Sequence, residues 1–297
     1  MTKQKIGFIG LGLMGAAMVK RLMALDYPMT VLANRSRTAV EAAVAAGAVE
    51  ASSAKELAEA SDIIMLCVDT SASVESRMLG EDGIIAGLSD GKTVIDFGTS
   101  LPQSTRDLGD AVAKTGATML DAPLGRTPAH AVDGLLNIMC SGDKSAFDRI
   151  NPVLDDLGEN VFHLGALGSG HTVKLINNFF GMTVATAWSE AMGMAKAAGV
   201  DQKQLYEVVS AGPLHSGMMD FVSAYPLDGD PNKLEFAIKN ARKDVGYYSR
   251  MADDLGAPSV ISTGPKQALG IATSQGYGDK MVSEMVDFFT ELYRSED

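Results

Sequence analysis

A chain of 297 residues with a formal net charge of −12 is poorly suited to binding polyanions. Nucleic acid and anionic membrane surfaces are therefore excluded as expected partners, although a local basic pocket for a small anion fits the same balance. Hydrophobic residues at 46% and charged residues at 21% describe an ordinary globular protein long enough for two domains with substantial cores. The two cysteines, Cys67 and Cys140, lie in apolar runs without metal-ligand spacing, so both are expected reduced and buried and no metal is expected. The N-terminus enters an apolar strand pattern at once, with no separate cleavable segment, and no apolar run is long enough to span a bilayer. A cytoplasmic location is the resulting expectation.

The first elements have a recognisable order. Lys5 to Ile9 is an expected buried strand, Gly10-Leu11-Gly12-Leu13-Met14-Gly15 follows it directly, and Ala16 to Ala24 has helix-forming composition. Strand, G-x-G-x-x-G and helix together form a dinucleotide-binding fingerprint. The glycines permit a tight turn and a close backbone approach to a pyrophosphate, and the helix start offers free N–H groups. The second strand is Met29 to Leu32. An NAD site commonly ends this strand with an acid that bonds the ribose hydroxyls. Here it runs into Ala33-Asn34-Arg35-Ser36-Arg37, where two guanidiniums flank a hydroxyl. That set suits a 2′-phosphate, so NADP(H) is favoured, with NAD(H) possible.

Further α/β units follow. Helices are expected over Val40 to Ala46, ending at Gly47, and over Ser53 to Ala60. Asp62 to Val68 is a near-continuous apolar run, as in a central parallel strand, and its end at Cys67 and Val68 would face the cofactor. Strands are expected at Lys92 to Phe97, Thr118 to Ala122, Leu135 to Cys140 and Asn160 to His163, with a helix over Asp148 to Leu157. Asp121 to Ala131 is expected to be a loop leaving a strand end; it gathers Gly125, Arg126 and Thr127 ahead of Pro128. Arg126 either clamps an anionic substrate group bidentately or forms a surface salt bridge. His130 is expected to be a hydrogen-bonded structural histidine.

After Gly170 strand signals vanish. One helix of some thirty residues is expected to run through Trp188 to about Ala198, with Gly181 inside it as a close-packing position. It carries Lys174 and, four residues on and hence on the same face, Asn178. A lysine among Val173, Leu175 and Ile176 is either a snorkelling surface residue or a placed acid. Helices at Gln202 to Ser210 (N-capped by Asp201), Phe236 to Leu255, Pro265 to Gln275 and Lys280 to Tyr293 complete an all-helical region, with Ala211 to Gly217 a loop. The fold class is α/β: a Rossmann-like dinucleotide-binding domain over residues 1–164, then an all-α domain over residues 165–297 that begins with a long interdomain helix.

Five segments now stand in order: Gly10-Leu-Gly-Leu-Met-Gly15, Asp96-Phe-Gly-Thr-Ser100, Asp121-Ala-Pro-Leu-Gly-Arg-Thr127, Gly168-Ser-Gly-His-Thr-Val-Lys-Leu-Ile-Asn-Asn178 and Lys243-Asp244. With them the chain resembles the β-hydroxyacid dehydrogenase family over nearly its whole length. That family includes 3-hydroxyisobutyrate dehydrogenases and tartronate semialdehyde and sulfolactaldehyde reductases. The resemblance implies Lys174 as the catalytic lysine, Asn178 as its substrate-binding partner, Thr99 and Lys243 as cofactor contacts, and a homodimer or homotetramer. It also shows departures. Gly125-Arg126-Thr127 replaces the family's usual Ser-Gly-Gly substrate loop and is similar to the loop of sulfolactaldehyde reductases. Gly98 stands where serine is usual. Asn34-Arg35-Ser36 is similar to the Asn-Arg-Thr of NADP(H)-using succinic semialdehyde and glyoxylate reductases.

The implied activity is reversible hydride transfer between NADP(H) and the carbonyl of a short anionic aldehyde, giving the hydroxyacid. Sulfolactaldehyde, succinic or tartronate semialdehyde reduction and 3-hydroxyisobutyrate oxidation are the examples. Lys174 would act as general acid and base while Arg126 and Thr127 hold the anionic tail. Two rivals differ in kind: an imine reductase-like enzyme, in which the lysine is often an acid or tyrosine, and a non-catalytic nucleotide-binding scaffold, which tends to lose the lysine. Lys174 and Arg126 argue against the first, and the intact Lys174–Asn178 pair against the second.

Overall fold

A computed structural model describes residues 3–33 and 37–294. The chain divides into two compact units, Met1–Lys174 and Leu175–Asp297. The division falls inside one helix, some residues beyond the expected domain boundary between residues 164 and 165.

The first unit alternates strands and helices: β1 (Ile6–Ile9), α1 (Leu13–Ala24), β2 (Met29–Leu32), α2 (Thr38–Ala45), β3 (Val49–Glu50), α3 (Ala54–Ala60), β4 (Ile63–Leu66), α4 (Ser71–Met78), β5 (Thr93–Asp96), α5 (Pro102–Ala113), β6 (Thr118–Asp121), β7 (Leu124–Gly125), α6 (Pro128–Asp133), β8 (Leu136–Gly142), α7 (Lys144–Leu157) and β9 (Gly158–His163). The strand order is β3-β2-β1-β4-β5-β6-β8-β7, with β9 beside β8. The six strands from β3 to β6 are mutually parallel, and β8 runs antiparallel to both β6 and β7. This is the doubly wound order, whose reversal point lies between β1 and β4.

The near-continuous apolar strands follow from cover on both faces. Alternate side chains go to opposite sides. Ile6, Phe8, Ile63, Met65, Ile95 and Leu120 pack with Met18 and Leu22 of α1 and Ile150 and Leu154 of α7. Ile9, Ile64, Leu66, Val94 and Met119 pack with Leu57 of α3, Val74 and Met78 of α4 and Leu108 and Val112 of α5. A one-residue register slip in any central strand would exchange these two cores.

The second unit is helical. α8 (Ser169–Ala197) begins in the first unit and continues into the second; α9 (Gln202–Ser210), α10 (Gly217–Asp228), α11 (Ile238–Asp254), α12 (Thr263–Ala272) and α13 (Met285–Leu292) follow. Its core joins Met182, Trp188 and Met192 of α8 to Met219 and Val222 of α10, Ile238 and Val245 of α11, Leu269 of α12 and Phe288 and Phe289 of α13. Trp188 satisfies its indole N–H on Ser223 Oγ at 2.8 Å. Asp201 caps α9 by accepting from Gln204 N at 3.0 Å, as expected.

Several elements depart from expectation. Helix α1 starts at Leu13 and not Ala16, because the last residues of the glycine motif form its first turn. Helix α7 starts at Lys144, where the Asp143 carboxylate accepts from Ala146 N at 2.8 Å. The segment Asp121 to Ala131 is not a simple loop: Leu124 and Gly125 pair with β8, and Pro128 takes the first turn of α6. Helices α4, α5 and α10 were not expected. Cys140 is buried, whereas Cys67 is only half-buried. No described helix is long and apolar enough to cross a membrane, and no group of three or more His, Cys, Asp or Glu among the described residues is placed to hold a metal ion.

Candidate active site

The glycine turn after β1 is shaped by close approaches. Gly10 has φ +99°, and a Cβ there would stand 2.4 Å from the Cys67 carbonyl oxygen. Only glycine accepts both conditions. A Cβ on Gly15 would come 2.0 Å from the Gly10 oxygen, so α1 packs directly on the turn. Around Gly12 nothing lies within 4 Å, Gly12 offers no capping side chain, and the first turn of α1 carries no acid. Leu13, the first helical residue, is exposed. An uncapped, unobstructed helix start suits an anion, so the donor set fits a dinucleotide pyrophosphate held by Gly10–Gly15.

Cys67 and Val68 line the other side of this turn; the Cys67 N–H donates to Ile9 O at 2.9 Å. Burial, then the Asp96 carboxylate, push the Cys67 thiol up to about 12, so at neutral pH it is a neutral wall and not a nucleophile. Thr99 lies in the next turn, where a Cβ on Gly98 would meet the Val68 oxygen at 2.9 Å. Gly10–Gly15, Cys67, Val68 and Thr99 are therefore gathered at the carboxyl ends of β1, β4 and β5.

Asn34, Arg35 and Ser36 lie outside the described residues. Of the two arginines flanking Ser36, Arg37 is already engaged. Its guanidinium takes the Glu50 carboxylate with both terminal nitrogens at 3.1 Å and Glu41 at 3.3 Å. The case for a 2′-phosphate thus falls on Arg35 and Ser36.

At the end of β6, Lys174 is half-buried, and its ammonium donates to Leu124 O at 2.7 Å. Gly125 continues β7 beside β8. Arg126 has φ +76°, a left-handed conformation that costs a non-glycine residue roughly 1–2 kcal/mol. Glycine, which the usual Ser-Gly-Gly loop would place here, adopts it without strain. The Arg126 guanidinium donates to Leu135 O at 2.6 Å and pairs with Glu159 Oε2 at 2.5 Å. Thr127 precedes α6, and its hydroxyl meets His130 Nδ1 at 2.8 Å, which gives His130 the structural role expected of it.

In the second unit Asn178 is buried, and its amide donates to Asp244 Oδ2 at 2.7 Å. The Lys243 ammonium stands 3.1 Å from Asp244 Oδ1 and 5.5 Å from the Tyr247 ring centroid. Asn178 and the Lys243-Asp244 pair are thus brought together within that unit.

Sequence reasoning missed a buried cluster. Asp96, Asp121 and His171 are each 0% exposed. The signal was present: an acid closes each of two otherwise apolar strands, a placement that burial tolerates only with dedicated donors.

Comparison with known proteins follows the same division of the chain. The family described as the NAD binding domain of 6-phosphogluconate dehydrogenase matches residues 5–165. That described as NAD-binding of NADP-dependent 3-hydroxyisobutyrate dehydrogenase matches residues 168–289. An NAD-dependent L-serine dehydrogenase of Pseudomonas aeruginosa is 30% identical over 96% of this chain and 98% of its own. A glyoxylate/succinic semialdehyde reductase 2, chloroplastic, of Arabidopsis thaliana is 28% identical over 95% of this chain and 78% of its own. The crystal structure of a 3-hydroxyisobutyrate dehydrogenase from Salmonella typhimurium is similar with a TM-score of 0.82, at 27% identity, over 96% of this chain and 100% of that one.

Proposed function

From the premise that this chain belongs to the β-hydroxyacid dehydrogenase family, we propose that it interconverts a short anionic semialdehyde and its hydroxyacid, with Lys174 as general acid and base. The chain is an NAD(P)-dependent oxidoreductase acting on hydroxyl groups. The observation that carries the finer reading is the Lys174 ammonium, half-buried and hydrogen-bonded to Leu124 O at 2.7 Å beside the Gly125–Thr127 loop.

A nicotinamide cofactor held by the glycine turn would supply or accept the hydride. In the reducing direction negative charge develops on the carbonyl oxygen, and Lys174 gives that oxygen a proton; in the oxidising direction Lys174 takes the proton back. Arg126 and Thr127 hold the carboxylate or sulfonate tail, with Asn178 as a further substrate contact. Fixing the tail fixes the carbonyl, so binding energy appears as rate. Strain at Arg126 supports this role, since a guanidinium retained in a glycine-type conformation needs a reason beyond folding. Gly10–Gly15, Cys67, Val68, Thr99 and Lys243 form the cofactor contacts in this reading, and Asn34, Arg35 and Ser36 favour NADP(H). Relatives divide on that point, one being named NAD-dependent and one family description NADP-dependent. A homo-oligomer, supported by exposed Phe180, Val208 and Leu214 in the helical unit, and a cytoplasmic location complete the proposal.

The test is NADPH oxidation by wild type and Lys174→Ala over a panel of three- and four-carbon semialdehydes. Lys174→Ala should lose about 10²- to 10⁴-fold in kcat, the usual worth of a positioned acid, with NADPH binding intact. Near-normal turnover would remove the lysine from the mechanism.

A further inference from the structure

Two carboxylates face each other in register at the ends of neighbouring strands, Asp96 on β5 and Asp121 on β6. Each organises a different stretch of backbone. Asp96 accepts from Gly98 N and from Ser100 Oγ, both at 2.8 Å, and so sets the turn that carries Thr99. Asp121 accepts from Gly168 N at 2.8 Å, from His171 N at 2.7 Å and from the Ser141 hydroxyl, and so holds the start of α8. Ser141 Oγ in turn accepts from Gly170 N at 2.9 Å. A Cβ on Gly170 would stand 2.2 Å from the Met139 oxygen, so only glycine lets α8 begin this close to β8.

The His171 ring lies between the two carboxylates. Its Nδ1 meets Thr105 Oγ1 at 2.8 Å and lies 3.7 Å from Asp121 Oδ2; its Nε2 lies 3.6 Å from Asp96 Oδ2 and has no hydrogen-bond partner. A fully buried ring nitrogen without a bond is a net cost, and an apolar side chain of similar volume would avoid it. Packing alone does not account for an imidazole here.

We propose that His171 is a positioning residue that fixes Lys174 relative to the Thr99 turn. The inference rests on reading Lys174 as the proton donor. Lys174 is three residues beyond His171, hence on the same side of α8. Its backbone is fixed by the Asp121 knot, and its ammonium by Leu124 O, three residues beyond Asp121. The histidine ring joins that knot to Thr105 of α5 by its hydrogen bond and sets its other nitrogen 3.6 Å from Asp96, so one ring packs the lysine's helix against the strand end that shapes the cofactor turn.

A displacement of about 1 Å at a reacting group costs about 10²-fold in rate. The experiment compares full-length wild type, His171→Leu, Lys174→Ala, the double variant and His171→Asn, using NADPH and whichever panel semialdehyde wild type reduces fastest. His171→Leu should lose about 10- to 100-fold in kcat, with KM and the NADPH dissociation constant changed less than about threefold. The double variant should be no slower than Lys174→Ala, because a residue acting through the lysine has nothing left to position. His171→Asn keeps a partner for Thr105 and should recover most of kcat. Should His171→Leu fail to fold, Thr105→Val removes the same bond from outside the ring and should lower kcat about 10-fold with unchanged KM. Wild-type kcat in folded His171→Leu, or multiplicative losses in the double variant, overturns the proposal. A fully active Lys174→Ala overturns instead the reading on which it rests.

Discussion

Two basic side chains stand about β7, and each spends a donor on a backbone carbonyl: Lys174 on Leu124 O, Arg126 on Leu135 O. Their supports differ. The lysine sits one turn into a helix whose start is held by buried Asp121. The arginine sits on strained backbone, and its ion-pair partner Glu159 is 52% exposed. A buried, fully bonded knot allows one arrangement. A solvent-screened pair is worth about 0–1 kcal/mol and is readily exchanged for another anion. Under the proposed function the contrast is a division of labour: the chemistry would sit on the rigid scaffold, and substrate selection on the adjustable loop.

The comparison breaks most decisively at Asp121. Asp121→Ala leaves two backbone N–H groups and the Ser141 hydroxyl without their acceptor in a buried position. At about 1–3 kcal/mol for each orphaned buried group, partly relieved by entering water, the loss should be roughly 3–5 kcal/mol in denaturant unfolding. Asp121→Asn keeps the shape but aims a donor at one of those N–H groups, and should cost less. A loss under about 1 kcal/mol for alanine would mean the helix start is held by packing and not by the carboxylate.

The loop side should behave oppositely. Arg126→Gly relieves about 1–2 kcal/mol of left-handed strain but frees the unfolded chain and gives up the Leu135 O bond, so stability should change by less than about 1 kcal/mol. The same change should raise KM for an anionic semialdehyde about 10- to 100-fold with little change in unfolding cooperativity, the signature of a lost charge-assisted contact. Glu159→Gln removes the competing carboxylate and should lower KM about two- to fivefold. If Arg126→Gly destabilises and leaves KM alone, the arginine is a structural surface pair and the selection loop must be sought elsewhere.

Much of this was legible in the sequence because it is local. Strand, glycine motif and helix follow one another within twenty residues, and Gly15 is required by a contact inside that stretch, whereas the Cys67 carbonyl that also requires Gly10 comes from a distant strand end. The long α8 was legible from its composition and its terminal glycine. The 3.6-residue signal was weak in α4, whose eight residues include three serines, and α5 opens on proline and carries a glycine inside. Cap chemistry decided α7, where Asp143 starts the helix before its apolar face begins. The acids that close β5 and β6 were visible in the sequence, but their grouping with His171 was not: the three are 25 and 50 residues apart in the chain, and only the parallel register of β5 and β6 brings the two acids together. Arg126 reads from the sequence as an anion clamp or a surface pair, and its strained backbone has no signature there.

The smallest effect concerns the thiols that back onto the two acids. Burial first, then Asp96, push the Cys67 thiol up to about 12; burial first, then Asp121, do the same for Cys140. Both folded values lie above the ordinary value of 9.0. The folded protein therefore holds these protons more tightly than the unfolded chain does. Their contribution to stability is fully present below pH 9 and is lost as pH rises from there toward 12. Unfolding free energy measured from pH 8 to 11 should fall with pH, and Cys67→Ala with Cys140→Ala should flatten the part of that slope due to the thiols. Iodoacetamide should label both cysteines slowly at pH 8 in the native state and quickly in denaturant. Asp96→Asn should speed native labelling of Cys67 only modestly, since burial is the larger cause and survives the substitution. Fast native labelling of Cys67 at pH 8 would show an ionised thiol beside the glycine turn, and the wall opposite Gly10 would then have to be charged.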